Sequence, residues 1–460
     1  MKDRQVIKSI YLLPILYLLG IASIKCEKFV DIAPSPDLIA TSAIFQDNKT
    51  ATAAINGVYY QMRSSSLSLA NGAISLYPGL SADEFFNSAS NANTDPFLLN
   101  AILPTTGIIG GSFWRPAYQS IYKINSIIEG LTSSNALTDT VKKQLLGEAK
   151  FLRSFYYFQL VNLFGDVPLI LSTNYQDNAT VPRTPINTIY KQITTDLKEA
   201  KELLKSNYPA SLRSRPNRWT ATALLARVYL YLKDWNNAEI EATATITSGA
   251  YSLASLATVF QASSNETIWQ ILSEGANTAE GATFIPSSTT VRPPYIITND
   301  LLNRFETGDN RKGSWLSSNT VTGQVYYYPF KYKLRTNTPI NEYEIVFRLA
   351  EQYLIRAEAR NEQNNFNGAK DDLNTIRTRA GLGNTTANDK SSIFLAIEKE
   401  RQTEMFAEWG HRWFDLKRTD RANDILSMAK HPNWKSTAVW YPLPQSELLI
   451  NTFLVQNPGY

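Results

Sequence analysis

The sequence predicts a mostly α-helical chain with a loop-rich face and a few short strands. Three observations carry that expectation. Apolar residues recur at helical spacing over long stretches. A helix–elbow–helix signature occurs twice. Two long segments between the helical stretches are rich in Ser, Asn, Gly and Thr, with aromatic residues scattered through them.

Residues 42–63 set Ile44, Ala51, Ile55, Val58 and Tyr59 at helical spacing, and 114–131 do the same with Tyr118, Ile121, Ile124 and Ile128. Residues 138–164 form a long helix stopped by Gly165-Asp166-Val167-Pro168, since proline cannot continue a helix. Residues 185–206 are amphipathic through Ile189, Ile193, Leu197 and Ala200. Residues 216–247 hold two helices split around Lys233-Asp234-Trp235. Residues 342–380 hold two more, split around 361–367, and 391–409 hold another. Ala226, Trp235 and Ala238 mark the first elbow, and Ala357, Phe366 and Ala369 repeat that spacing 131 residues later. Small residues let antiparallel helices approach and the aromatic fills the elbow, the logic of tetratricopeptide-type helix pairs. The copies are too far apart for a tandem array, so insertions separate the pairs. Those insertions are 64–113 and 249–343. Alternating runs at 267–272 and 324–332 predict short strands there, and the remainder reads as structured loop, where function commonly sits.

The N-terminus reads as an address. Met1–Lys8 carries three bases, and 10–24 are apolar throughout, interrupted by Pro14. The run is shorter than the ~20 residues of a spanning helix and matches a signal-peptide core over 1–25. Cys26 follows directly and is the single cysteine of the chain, which fits a lipidated new N-terminus, although Lys25 stands where a small residue is usual. Several acyl chains at about 0.8 kcal/mol per buried CH₂ would hold the protein stably on a membrane.

Composition excludes several functions. The net charge is +4, and residues 1–25 contribute four bases and one acid, leaving 41 basic against 40 acidic residues beyond them. A near-neutral body lacks the basic surplus that nucleic acid requires. One cysteine excludes an internal disulfide framework or a multi-cysteine zinc site, and His411 and His431 are the only histidines for any His-based mechanism. Trp, Tyr and Phe together make 12% of the chain, the first pointer to a binding surface rather than a catalyst.

Certain motifs, in order along nearly the whole chain, resemble the SusD/RagB family of nutrient-binding surface lipoproteins of Bacteroidetes-type bacteria. They include Phe29-Val30-Asp31, Ala51 to Tyr59, Ser81-Ala-Asp83-Glu84, and Trp114 with Tyr118, Ile121 and Asn125. Glu148 to Tyr157, Phe164-Gly165-Asp166-Val167-Pro168, Arg348 to Ala359, Glu400 to Arg418 and Tyr441-Pro-Leu-Pro444 continue the series. The resemblance implies a single SusD-like domain over 26–460, with four tetratricopeptide-like helix pairs as scaffold. It implies a non-catalytic, lipid-anchored protein on the outer-membrane surface that captures oligosaccharides and delivers them to a SusC-like TonB-dependent transporter. Peptide capture by the same kind of complex is the alternative. No cofactor is expected, and the sequence assigns no metal.

Sugar rings present apolar C–H faces and hydroxyl rims, so a site wants aromatic platforms edged by polar groups. The first insertion offers Asp83, Phe85, Phe86, Asn87 and Phe97. The second offers Tyr295, Trp315, Tyr326, Tyr328 and Arg335, with Tyr327 and Lys331 beside them. In the family, ligands sit on loops from these two regions, though the individual platforms vary. Trp114, Trp219, Trp235, Trp409 and Trp413 are expected in the core. Glu400, Arg401, Glu404, Glu408, His411, Arg412 and Asp415 look like an acid–base cluster, but are read as ion pairs tying their helix to Arg348, Glu351 and Arg356. Asp300, Asp309 and Arg311 are read as turn caps and ion pairs. A glycosidase would need two carboxyls facing each other at roughly 5–9.5 Å, a separation no sequence shows.

Overall fold

The computed structural model describes residues 41–272, 275–336 and 339–460. The signal peptide, the tether, Cys26 and the Phe29-Val30-Asp31 motif lie outside these residues.

The scaffold is a succession of antiparallel helices: α1 (Asn48–Arg63), α2 (Ala73–Ser81), α3 (Arg115–Ser133), α4 (Asp139–Phe164), α5 (Ile186–Leu203), α6 (Arg218–Tyr231), α7 (Trp235–Ile246), α8 (Leu349–Glu362), α9 (Phe366–Arg379), α10 (Lys390–Met405) and α11 (His411–Arg418). Helices α3 to α7 pack each against the next, and α7 packs against α8 across the second insertion. α4 is buried on every side from Phe151 to its end and is the central post. Gly165 ends it at φ 73°, a conformation glycine adopts without strain.

The two elbows repeat in detail. Lys233 and Asn364 take positive φ of 57° and 63°, and the next residue, Asp234 or Asn365, caps the following helix by accepting a backbone N–H. Ala226, Ala238, Ala357 and Ala369 are fully buried at the helix contacts, while Trp235 and Phe366 half-fill the elbows. Trp114, Trp409 and Trp413 lie in the core as expected, whereas Trp219 is half-buried.

Close approach is also used at Gly130 of α3. A Cβ there would stand 2.2 Å from the Phe45 ring. Gly130→Leu should cost about 1–3 kcal/mol by overpacking, read as a lowered urea midpoint with an unchanged m-value.

The strands are short and paired: β1 (Phe85–Asn87) with β3 (Tyr295–Ile297), β2 (Thr267–Ile271) with β6 (Glu344–Arg348), and β4 (Leu316–Val321) with β5 (Gln324–Pro329), all antiparallel. The β4–β5 hairpin turns on Thr322 and Gly323, both at positive φ as two-residue hairpin turns prefer. β2 and β5 lie within the alternating runs expected as strands. Two expectations are corrected. Residues 344–348 open the stretch assigned to helix but form β6, because all five are buried and run straight into α8. The first insertion contains the fully buried helix α2, whose apolar all-round sequence has no helical stripe and whose Pro78 and Gly79 resemble a turn.

Candidate functional site

The two insertions meet at the β1–β3 pair. Phe86 stands opposite Ile296 and Asn87 opposite Tyr295. Backbone bonds extend the junction at both ends: Thr298 N–H donates to Glu84 O at 3.0 Å and Ser88 N–H to Pro294 O at 3.0 Å. Alternation along β1 then separates roles. Phe85 faces inward and is fully buried against Phe284, with ring centroids 5.2 Å apart, while Phe86 faces out with 37% of its surface exposed.

Polar groups cluster at the ends of the strand pair. Asp95, at the start of a short helix (Asp95–Leu98), accepts from Ser90 Oγ at 2.6 Å and Asn91 N–H at 2.9 Å, and also from Asn87 Nδ2. These donors, Ser90 foremost, hold its carboxyl below the usual carboxylate range. Arg292 donates to Ser88 O at 2.9 Å and to the Tyr326 hydroxyl at 3.0 Å, and its guanidinium lies 4.4 Å from the Tyr326 ring centre. Tyr295 is half-buried, edge-on to Phe284 at 6.0 Å, and burial pushes its phenol up. By the same alternation Asn87 and Tyr295 lie on the Phe85 side, where Phe85 and Tyr295 share the Phe284 ring, so Phe86 projects alone from the outer face of the pair while Arg292 and Asp95 fix the ends of the pair.

Several expected site residues are placed elsewhere. Asp83 is buried in a two-fold ion pair with Arg412, both bonds 2.7 Å, and although burial works against it, Arg412 holds its carboxyl low. Phe85 and Phe97 are core side chains, Phe97 packing on Tyr77 at 4.6 Å and Tyr441 at 5.4 Å. Trp315 is fully buried, its indole N–H donating to Leu256 O at 2.9 Å. None of these offers a face to a ligand: Phe85 is turned inward by alternation on β1, Phe97 and Trp315 are packed into the core from short helices, and Asp83 is taken by Arg412. Tyr326 and Tyr328 are both buried, and the Tyr326 hydroxyl is taken up by Arg292 and Gln324. Lys331 is buried against Glu408. Arg335 is exposed on the segment beyond β5.

The acid–base cluster is structural, as its reading anticipated. Arg348 donates to Glu404 at 2.6 Å, Glu408 at 2.7 Å and Glu266 at 3.0 Å. Arg311 spans Asp309, Glu400 and Glu404 at 2.6 to 3.0 Å, and Asp309 also caps its helix. Burial alone would raise the Glu404 carboxyl, but Arg379, Arg348 and Arg311 overcome it and hold the group well below the usual range. Glu351 and Arg356 do not join this network: Glu351 pairs with Arg227 and Arg356 with Asp372. No group of three metal-ligating side chains occurs among the described residues, and none of their helices is long and apolar enough to cross a membrane.

Two family models match the chain, one described as "Starch-binding associating with outer membrane" over residues 43–230 and the SusD family model over 297–460. The chain belongs to the SusD/RagB family. SusD-like protein P25 of Formosa agariphila is 25% identical over 95% of this chain and 97% of its own. SusD-like protein P2 of the same organism is 26% identical over 94% and 96%. A SusD superfamily protein from Bacteroides vulgatus superposes with a TM-score of 0.81 at 21% identity, covering 90% of this chain and 99% of its own. A laminarin-binding SusD-like protein superposes at 0.74 with 25% identity, covering 90% and 99%. At the β1–β3 junction, sequence reasoning passed over Arg292 and Asp95. Each had a signal: Arg292 precedes the stiff Pro293-Pro294 that leads into β3, and Asp95-Pro96 starts a helix.

Proposed function

We propose that the chain is a non-catalytic, glycan-binding member of its family. The observation that carries this reading is the β1–β3 pairing, which presents the exposed Phe86 ring where the two insertions meet, with polar backbone and side-chain groups of both insertions around the junction. Such a face stacks on the apolar side of a sugar and bonds its hydroxyl rim. The buried carboxylates of the α10–α11 region are engaged by arginines, so they hold the scaffold rather than attack a glycosidic bond. The laminarin-binding neighbour and a SusD-like carbohydrate-binding protein from Bacteroides vulgatus (TM-score 0.69, 22% identity, over 81% of this chain and 83% of its own) support the substrate class. The same reading places the protein on the outer-membrane surface, anchored through Cys26, where it hands oligosaccharide to a SusC-like TonB-dependent transporter.

The test is calorimetry of the full chain in detergent against a panel headed by laminarin and starch oligosaccharides, with product release followed in the same tubes. Binding with a Kd near millimolar, about −4 kcal/mol, and no new reducing ends is the expected result. Cleavage would overturn the non-catalytic reading. Silence across glycans with binding of peptides would overturn the substrate class.

A further inference from the structure

A cavity of about 520 Å³ opens between α4, α5, α6 and α11 and the C-terminal segment, and shares no residue with the β1–β3 face. Lys417 lines it. Its amine donates to Asn162 O at 2.5 Å and lies 3.7 Å from the centre of the Trp440 ring and 5.6 Å from that of Trp413. The neighbouring cations of the cleft are neutralised: Lys233 pairs with Asp420 at 3.1 Å, and Arg418 with Glu358 at 2.5 Å and Asp415 at 2.7 Å. Lys417 has no carboxylate within ion-pair distance among the described residues. An ammonium group has three protons to donate, and one backbone carbonyl takes one of them. Tyr231 also lines the cleft, but its hydroxyl is buried toward Asp415 and Arg401 and is not offered to the cavity. The cleft therefore holds an amine without a carboxylate partner in a space large enough for a small ligand.

We propose that this cleft is an anion site, in which a carboxylate or sulfate group of an acidic saccharide completes the partners of the Lys417 amine. Burial, with nothing opposing it, holds that amine well below the usual lysine range. An anion beside it favours the ammonium form, so binding takes up a proton and weakens as pH rises. The groups facing the amine do not substitute for it. Lys233 and Asp420 cancel each other, Arg418 is matched by Glu358 and Asp415, and burial pushes the phenols of Tyr190 and Tyr231 above the ordinary tyrosine range.

The experiment is calorimetry of the full chain in detergent at pH 7 with glucuronate, inorganic sulfate and, as neutral control, glucose. At least one anion should bind, and Lys417→Met should weaken it at least tenfold. Glucuronate alone would assign a carboxylate, and sulfate alone a sulfate group. Absence of binding by both anions, or unchanged affinity in Lys417→Met, would overturn the site. If Lys417→Met fails to fold, Asn187→Asp decides: Asn187 is exposed on the cleft, and the added carboxylate should lower anion affinity several-fold. Unchanged affinity there overturns the proposal. Loss of this site would leave the carbohydrate reading of the β1–β3 face intact.

Discussion

Arg348→Ala should lower the stability of the chain by about 3–5 kcal/mol, the cost of breaking a buried ion pair by removing one partner. The side chain is 1% exposed and touches Glu266, Glu404 and Glu408 at once. Its loss leaves those carboxylates short of a counter-charge where water cannot reach. Arg348→Lys should recover only part of the loss, because one ammonium cannot reproduce a planar fork that serves three acids. Urea unfolding followed by tryptophan fluorescence measures both, and a loss under about 1 kcal/mol, the range of surface pairs, would contradict the network's role. The pH dependence has a fixed sign. Glu404 is held below its unfolded value of about 4.3, so its contribution is complete above that value and is lost as pH falls toward the folded one. The wild type should therefore lose stability steeply as pH drops below about 4.3, and Arg348→Ala should lose less over that interval.

Phe86→Ala should weaken glycan binding by about 2 kcal/mol, roughly thirtyfold, with a melting temperature close to the wild type. Its ring is the exposed aromatic of the β1–β3 junction, and its backbone pairing with Ile296 survives truncation. Trp315→Ala should behave in the opposite way, costing about 3–5 kcal/mol of stability, because its ring is fully enclosed and packs edge-on to Phe260 at 5.6 Å. The pair separates a binding side chain from a packing one in a single thermal-shift and calorimetry comparison. A melting temperature that falls as far in Phe86→Ala as in Trp315→Ala would remove Phe86 from the site.

Much of the scaffold was legible in the sequence because helix pairs write their own punctuation. The alanines at 226, 238, 357 and 369, the elbow aromatics and the Gly165–Pro168 stop are local signals, and the structure realises each of them. Helix α2 was hidden because burial on all sides erases periodicity. β6 was absorbed into a helical stretch because five buried residues look alike in either state. The site was legible only as two regions. Which ring of Phe85-Phe86 faces water depends on pairing with a strand more than 200 residues away, and Trp315 is drawn inward by contacts with Phe260 and Leu256. Residue type marked the insertions, whereas strand register chose among their aromatics.

The two family models match regions 43–230 and 297–460 separately, yet buried charge sews the two regions together. Arg227 in the first holds Glu351 in the second at 2.6 Å, and Asp83 holds Arg412 at 2.7 Å. A recombination event that joined the front of one relative to the back of another would inherit half of each pair, and would strand a charge in the interior unless both parents carried the same partners. The exposed tips around Ser88–Asn91 and Val291 carry no such obligation. Shuffling among relatives can therefore trade surface loops freely while the two halves of the scaffold are inherited as one piece.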